Sequence, residues 1–266
     1  MIDIHHHLLY GLDDGSSDLD TSLKMAEIAI ADGITHVVCT PHANSQYEFS
    51  LEENAARMAC LREKLGNRLA LGQGCDFHLS YDNIESALAN PTRYSINGKQ
   101  YLLVEFPDFG IPQNISSSFH EMSVAGIVPI LTHPERNVTL MQNPDKLVEW
   151  IRMGCLVQVT AGSLTGRFGK GPQRVSQQLL AAGRVHVVAT DAHNITSRPP
   201  VLSTAYAYVE TKIGKEAAER LFVENPRRIF FGEPIPVYSP AENQQDEDME
   251  ETASRRSKFF SFFRRK

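Results

Sequence analysis

The chain begins Met1-Ile2-Asp3-Ile4-His5-His6-His7. Ile2 to Ile4 reads as a short apolar strand, after which His5 and His7 stand two residues apart. On an extended backbone residues i and i+2 point the same way, so both imidazoles can face one point while His6 points elsewhere. Imidazole is the commonest metal ligand among side chains, and a strand end is a rigid place to hold two. A tag-like or merely polar start is the competing reading, but the run is short for an affinity tag and follows an apolar strand. The pair therefore predicts a metal-binding strand end whose remaining ligands must come from elsewhere in the chain.

Outward from this stretch the same rhythm recurs. Short β-branched or aliphatic runs lie at Ile2–His5, His36–Thr40, Leu69–Asp76, Tyr101–Glu105, Ile127–Thr132, Cys155–Thr160 and Val185–Thr190. Between and after them come helical patterns at Leu19–Ala31, Leu51–Leu65, Ile84–Ala89, Ser116–Ala125, Pro144–Arg152, Gln173–Ala182 and Val201–Ile213. Gly33, Gly66, Gly126, Gly154 and Gly183 follow helical segments, as C-caps do. Strand and helix alternating seven times predicts a parallel sheet, open or closed into a barrel, with its chemistry at the C-terminal strand ends.

The bulk properties narrow the class. A chain of 266 residues suits one large α/β domain or two small ones. A net charge of -6 and a pI near 5.9 argue against a protein held on nucleic acid by phosphate contacts. Cys39, Cys60, Cys75 and Cys155 show no CxxC spacing and suit a reducing cytosol. The N-terminus lacks the basic-then-apolar pattern of a signal peptide, and no apolar run is long enough to span a membrane, so a cytoplasmic protein is expected. The folded body is expected to occupy 1–235. An acidic linker follows at 236–253, including Asp246 to Glu251, and then a tail at 254–266 that mixes six basic residues with four phenylalanines. Such a tail reads either as an interfacial segment giving peripheral contact with the inner face of the membrane, or as a solvated end that docks on protein.

Each strand but the sixth is followed by candidate ligands. His5, His7 and Asp13-Asp14-Gly15 follow the first, Thr40-Pro41-His42 the second and Asp76-Phe77-His78 the third. Glu105 ends the fourth, His133-Pro134-Glu135-Arg136 follows the fifth, and Asp191-Ala192-His193 follows the seventh. A lone histidine of this kind is usually structural, and His36, His120 and His186 are read so. A barrel would bring the strand ends into one ring and make the set a multinuclear nitrogen and oxygen site. Asp191-x-His193 repeats the spacing of His5-x-His7, and closure would make those strands neighbours.

These motifs, with Leu103-Val104-Glu105-Phe106 and Arg198-Pro199-Pro200, resemble the polymerase and histidinol phosphatase (PHP) superfamily. The resemblance is strongest to the bacterial metal-dependent tyrosine-protein phosphatases of capsule and exopolysaccharide operons, and it runs from Met1 to about Gly232. It implies an α/β fold, a distorted seven-stranded (β/α)7 barrel of PHP type holding three metals. One metal position would use His5, His7 and Asp191 with Asp76 bridging, a second Asp76, Glu105 and His133, and a third Asp14, His42 and His193. Glutamate is common in the family where this chain has Asp76. Arg136 and Arg198 would bind phosphate as charged forks. The donor set fits Mn, Fe or Zn, and the resemblance favours Mn. His78 would be a neighbour of the ligands or face substrate. Arg167 and Lys170 in the glycine-rich Gly166–Gly171 loop would form a basic edge.

The implied activity is hydrolysis of phosphotyrosine by metal-activated water, a phosphoric monoester hydrolysis. The implied partner is a membrane-associated bacterial tyrosine kinase that regulates capsular or exopolysaccharide synthesis and export. A small-molecule phosphatase such as histidinol-phosphatase, and a non-catalytic regulatory binding protein, are the alternatives; a homo-oligomer is compatible with either. Cysteine-phosphatase chemistry needs an arginine six residues after a cysteine, and Ser45, Gly66, Tyr81 and Ala161 stand there instead. Asp18-Leu19-Asp20-Thr21 looks like an aspartyl-phosphate motif, but it opens a helix and reads as an N-cap.

Overall fold

A computed structural model describes residues 1–107 and 110–236 of the protein. The expected linker and basic, aromatic tail lie almost wholly outside the described residues. Residues Met1–Ile235 form one compact unit. Its strands are β1 (Ile2–His6), β2 (His36–Cys39), β3 (His42–Ala43), β4 (Ala70–Gln73), β5 (Asp76–His78), β6 (Tyr101–Glu105), β7 (Val128–Thr132), β8 (Leu156–Thr160) and β9 (Val187–Ala189).

All pairings among the described strands are parallel. They form two sheets, one ordered β1-β2-β4 and the other β3-β5-β6-β7-β8-β9. Two expected strands are each interrupted. His36–Thr40 breaks after Cys39 because Pro41 has no N–H to give the ladder, and Leu69–Asp76 breaks at Gly74-Cys75. At Gly74 a Cβ would stand 2.8 Å from Val38 Cγ1, so only glycine fits between the strands there. Backbone bonds carry the chain across both breaks: Thr40 N donates to His6 O at 3.0 Å and Asp76 N to Pro41 O at 3.2 Å. At the other end Asp191 N donates to His5 O and His7 N to Ala192 O, each at 2.9 Å, beside a single parallel bridge between His6 and Ala192.

Alternation along the strands builds two apolar layers. Leu102, Val104, Leu131, Val157, Val159 and Val188 meet the helices in the larger cluster. Tyr101, Leu103, Ile130, Leu156, Val187 and Ala189 join Ile2 and Ile4 in a smaller one. The register of β1 against β2 shifts between Asp3 and His6.

The helices start where local chemistry dictates. Asp18 accepts from Thr21 N at 2.8 Å and opens Leu19–Ala31, so the Asp18 to Thr21 stretch is a cap. Ser50 caps Leu51–Leu65, whose first turn carries Glu52 and Glu53 and whose last carries Arg62 and Lys64, matching the helix dipole. Short helices at Val138–Gln142, Ala161–Leu164, Lys215–Glu219 and Asn225–Phe231 have no counterpart in the sequence reading, being too brief to show a period. No described helix is long and apolar enough to cross a membrane.

Candidate metal centre

Nine side chains with metal-ligating atoms converge at the C-terminal strand ends: His5, His7, Asp14, His42, Asp76, Glu105, His133, Asp191 and His193. They are the candidates the sequence singled out. Their nearest sets are His7, Asp14, His42 and His193; His5, His7 and Asp76; His5, His133 and Asp191; and His42, Asp76 and Glu105. The grouping differs in detail from the expected triads, since His7 also reaches the Asp14 set and His42 also reaches Asp76.

Asp76 lies in the middle. Its Oδ2 is 3.3 Å from His5 Nε2, 3.4 Å from His42 Nδ1 and 4.0 Å from His133 Nε2. Asp191 faces two ways. Its Oδ1 lies 3.3 Å from His5 Nε2, 3.5 Å from His7 Nε2 and 3.6 Å from His193 Nδ1. Its Oδ2 accepts from Arg136 Nη1 at 2.6 Å and Arg198 Nη2 at 2.5 Å. Glu105 lies 3.5 Å from His133 Nε2, and Asp14 is 3.3 Å from His42 and 3.4 Å from His193. His78 stands 3.9 Å from Glu105 Oε2, at the margin.

Of the residues behind the candidate ligands, Asp13 stands in the quoted Asp13-Asp14-Gly15 motif without a role assigned from sequence, and Gln158 is not singled out there. His7 Nδ1 donates to Asp13 Oδ2 at 2.7 Å, and Asp13 also accepts from the backbone N–H of Gly15 and His42. His5 Nδ1 donates to Gln158 Oε1 at 2.9 Å, and His193 Nδ1 to Asp191 O at 3.1 Å. Gln158 sits on β8, the sixth expected strand, which supplies no candidate ligand of its own. Its signal was a glutamine on the inward face of an otherwise apolar strand. Three histidines are thus anchored through Nδ1 and present the lone pair of Nε2, which is how second-layer partners orient metal ligands.

This arrangement fits cations. With both Nδ1 atoms donating, the Nε2 atoms of His5 and His7 face each other at 3.3 Å, close enough to share a proton or to ligate one cation. Asp76 Oδ2, Asp191 Oδ1 and His42 Nδ1 are buried without hydrogen-bond partners. Buried polar atoms left unpaired are costly, and ligation satisfies all of them at once. His6 is buried as well, but it belongs to none of the ligand sets.

Electrostatics follow from this crowding. Burial works against ionisation of Asp76, yet His5, His42 and His133 outweigh it and hold its carboxyl below the usual range. Burial also opposes charge on Asp191, which Arg136 and His5 overcome. Burial would lower His7, but Asp13 pushes it up to about 10. His193 falls to about 4 through burial and the neighbouring His7. Glu105 is raised by burial and by Asp76. Two of these nine residues, His133 at φ 32° and Asp191 at φ 52°, lie in the left-handed region, a strained backbone at the candidate site. Burial pushes the Cys39 and Cys155 thiols up to about 12.

Comparison with known proteins agrees with the geometry. A family model described as capsular polysaccharide synthesis, CpsB/CapC, matches residues 1–231. The chain is 34% identical over 242 residues to the tyrosine-protein phosphatase YwqE of Bacillus subtilis, covering 88% of this chain and 93% of that protein. It superposes at a TM-score of 0.83 and 32% identity on a solved structure described among YwqE from Bacillus subtilis and CpsB from Streptococcus pneumoniae, unique metal-dependent tyrosine phosphatases; the match covers 90% of this chain and 98% of that one. A histidinol phosphate phosphatase from Lactococcus lactis shares the fold alone, at a TM-score of 0.54 and 11% identity over 83% of this chain and 94% of its own.

Proposed function

The chain belongs to the CpsB/CapC family of capsular polysaccharide synthesis, and on that premise we propose that it is a metal-dependent protein-tyrosine phosphatase. The observation that carries this reading is the double role of Asp191. One of its oxygens faces the histidine set, while the other takes two arginines, so that cation ligands and anion-binding forks meet at one carboxylate.

In this reading His5, His7 and Asp191, with Asp76 bridging, would hold one metal. Asp76, Glu105 and His133 would hold a second, and Asp14, His42 and His193 a third, with Mn as the metal. Bound metals supply Lewis acidity and lower the pKa of water near neutral pH. Asp13 and Gln158 keep Nε2 of His7 and His5 aimed at the ligand side. Arg136 and Arg198 stay charged and donate to phosphoryl oxygens, offsetting charge that grows as the ester bond breaks. A tyrosine phenolate leaves readily, so no dedicated acid is required of the chain, and no nucleophilic side chain is needed. The seam hydrogen bonds from Asp191 to His5 and from His7 to Ala192 support reading the two sheets as one distorted seven-stranded barrel.

The finer parts of the proposal are these. The catalytic domain is 1–235, followed by a linker at 236–253 and a tail at 254–266. The substrate is a membrane-associated tyrosine kinase that regulates capsular or exopolysaccharide synthesis and export. The enzyme works in the cytoplasm, with the tail giving peripheral membrane contact. The test is turnover of a phosphotyrosine peptide, a phosphoserine peptide and histidinol phosphate by purified, Mn-supplemented protein. Phosphotyrosine turnover lost in His5→Ala is expected. Turnover of histidinol phosphate alone would overturn the substrate, and an undiminished His5→Ala protein would overturn the metal chemistry.

A further inference from the structure

We propose that Phe168 is a positioning residue for phosphoryl recognition, its ring holding the guanidiniums of Arg136 and Arg198 as a pair. The inference deepens the phosphatase reading and rests on it. Both guanidiniums end on the same atom, Asp191 Oδ2, while Asp191 Oδ1 is turned toward His5 and His7. One carboxylate oxygen cannot neutralise two cations, and two guanidiniums this close repel. Glu135, Glu105 and Asp76 add negative charge around Arg136, and the Phe168 ring is the electron-rich surface that both guanidiniums share. The ring centroid lies 4.9 Å from Arg136 Cζ and 5.8 Å from Arg198 Cζ. Both are inside the roughly 6 Å range over which a ring face attracts a cation.

The three residues come from three separate loops, after β7, β8 and β9, so the ring joins elements that the backbone leaves apart. Phe168 belongs to neither apolar cluster. It rests instead on bare backbone: a Cβ at Gly162 would stand 2.9 Å from Phe168 Cε2. Its neighbour Arg167 donates to Thr196 O at 3.4 Å and Ser197 O at 3.1 Å, tying this loop to the one that bears Arg198. The arginine side chains remain 21% and 24% exposed, although Arg198 Nε itself is buried. The pair therefore shares one carboxylate oxygen and one ring, with donors left over for a dianionic phosphoryl group.

The test compares Phe168→Leu, which keeps apolar bulk but removes the ring face, with Phe168→Trp, which keeps a ring, and Gly162→Ala, which pushes the ring from beneath. Mn-supplemented full-length proteins are assayed for kcat and KM on a phosphotyrosine peptide and for inhibition by inorganic phosphate. Phe168→Leu is expected to raise KM and the phosphate inhibition constant about fivefold to tenfold, well beyond any fall in kcat. Gly162→Ala is expected to move both constants the same way, and Phe168→Trp to stay within about twofold of the parent. Unchanged constants in Phe168→Leu would overturn the proposal, as would a tryptophan variant impaired as much as the leucine one. Should Phe168→Leu melt early, Gly162→Ala decides alone, and unchanged constants there overturn the proposal equally. An unmodified protein without phosphotyrosine turnover would refute the enzymatic reading instead. Calorimetric phosphate binding by the same variants then judges the clamp, and equal affinities would overturn it.

Discussion

At Gly15 the chain passes so close to His7 that a Cβ would stand 2.4 Å from His7 Cβ and 2.5 Å from His7 O. The neighbours are a Cβ and a backbone oxygen, which cannot swing aside. Gly15→Ala should therefore displace His7, costing about 1–3 kcal/mol of stability and on the order of a hundredfold in turnover. A thermal melt and a phosphatase assay check this, and a variant with the parent's rate would sink the argument. Single residues differ in how far sequence revealed them. His5, His7, Asp191 and His193 were legible because i, i+2 spacing on an extended chain is a local fact. The roles of Asp13, Gln158 and Phe168 were not, because each acts on a partner that sequence does not place beside it. Nor could sequence foretell the positive φ of His133 and Asp191, which the surrounding fold imposes.

Among the elements, β8 and β9 are tied by a histidine that the chemistry does not use. His186 Nδ1 accepts from Val157 N at 3.0 Å, and Asn225 Nδ2 donates to His186 O at 2.7 Å. Burial, with Arg220 nearby, lowers His186 to about 4. The unfolded chain, with histidine near its usual value of about 6.5, then binds more protons than the folded one between those two values. Stability rises with pH across that window and is lost as pH falls through it. Urea unfolding at pH 7 and pH 5 should show the parent losing about 2 kcal/mol more than His186→Gln; equal losses would remove His186 as the cause. The seven strand positions and seven main helices were readable from alternation and caps. The interruptions were not: Pro41 is in plain view, but that the ladder resumes at His42 depends on β5 lying alongside.

For the whole molecule, the ligand set joins β1 to the segment after β9, so whatever binds there ties the two ends of the folded body together. Stripping metal leaves Asp76 Oδ2 and Asp191 Oδ1 buried and unpaired. The melting temperature should therefore fall in chelator and rise with added Mn, by about 2.7 kcal/mol of stability at a hundred times the dissociation constant. A melt indifferent to both would refute cation binding at these residues. The sequence by itself determined the α/β class, the parallel pairing of the strands and the candidate ligand types at the strand ends, because periodicity and i, i+2 spacing are properties of the local chain. Only the tertiary structure decided which nitrogen each histidine presents, that Asp76 lies between three histidines, and that one carboxylate is shared by histidines and arginines. Those relations hold between residues far apart in the chain, as between His5 and Gln158, 153 positions on. No local pattern encodes a distance that exists only once the strands have packed.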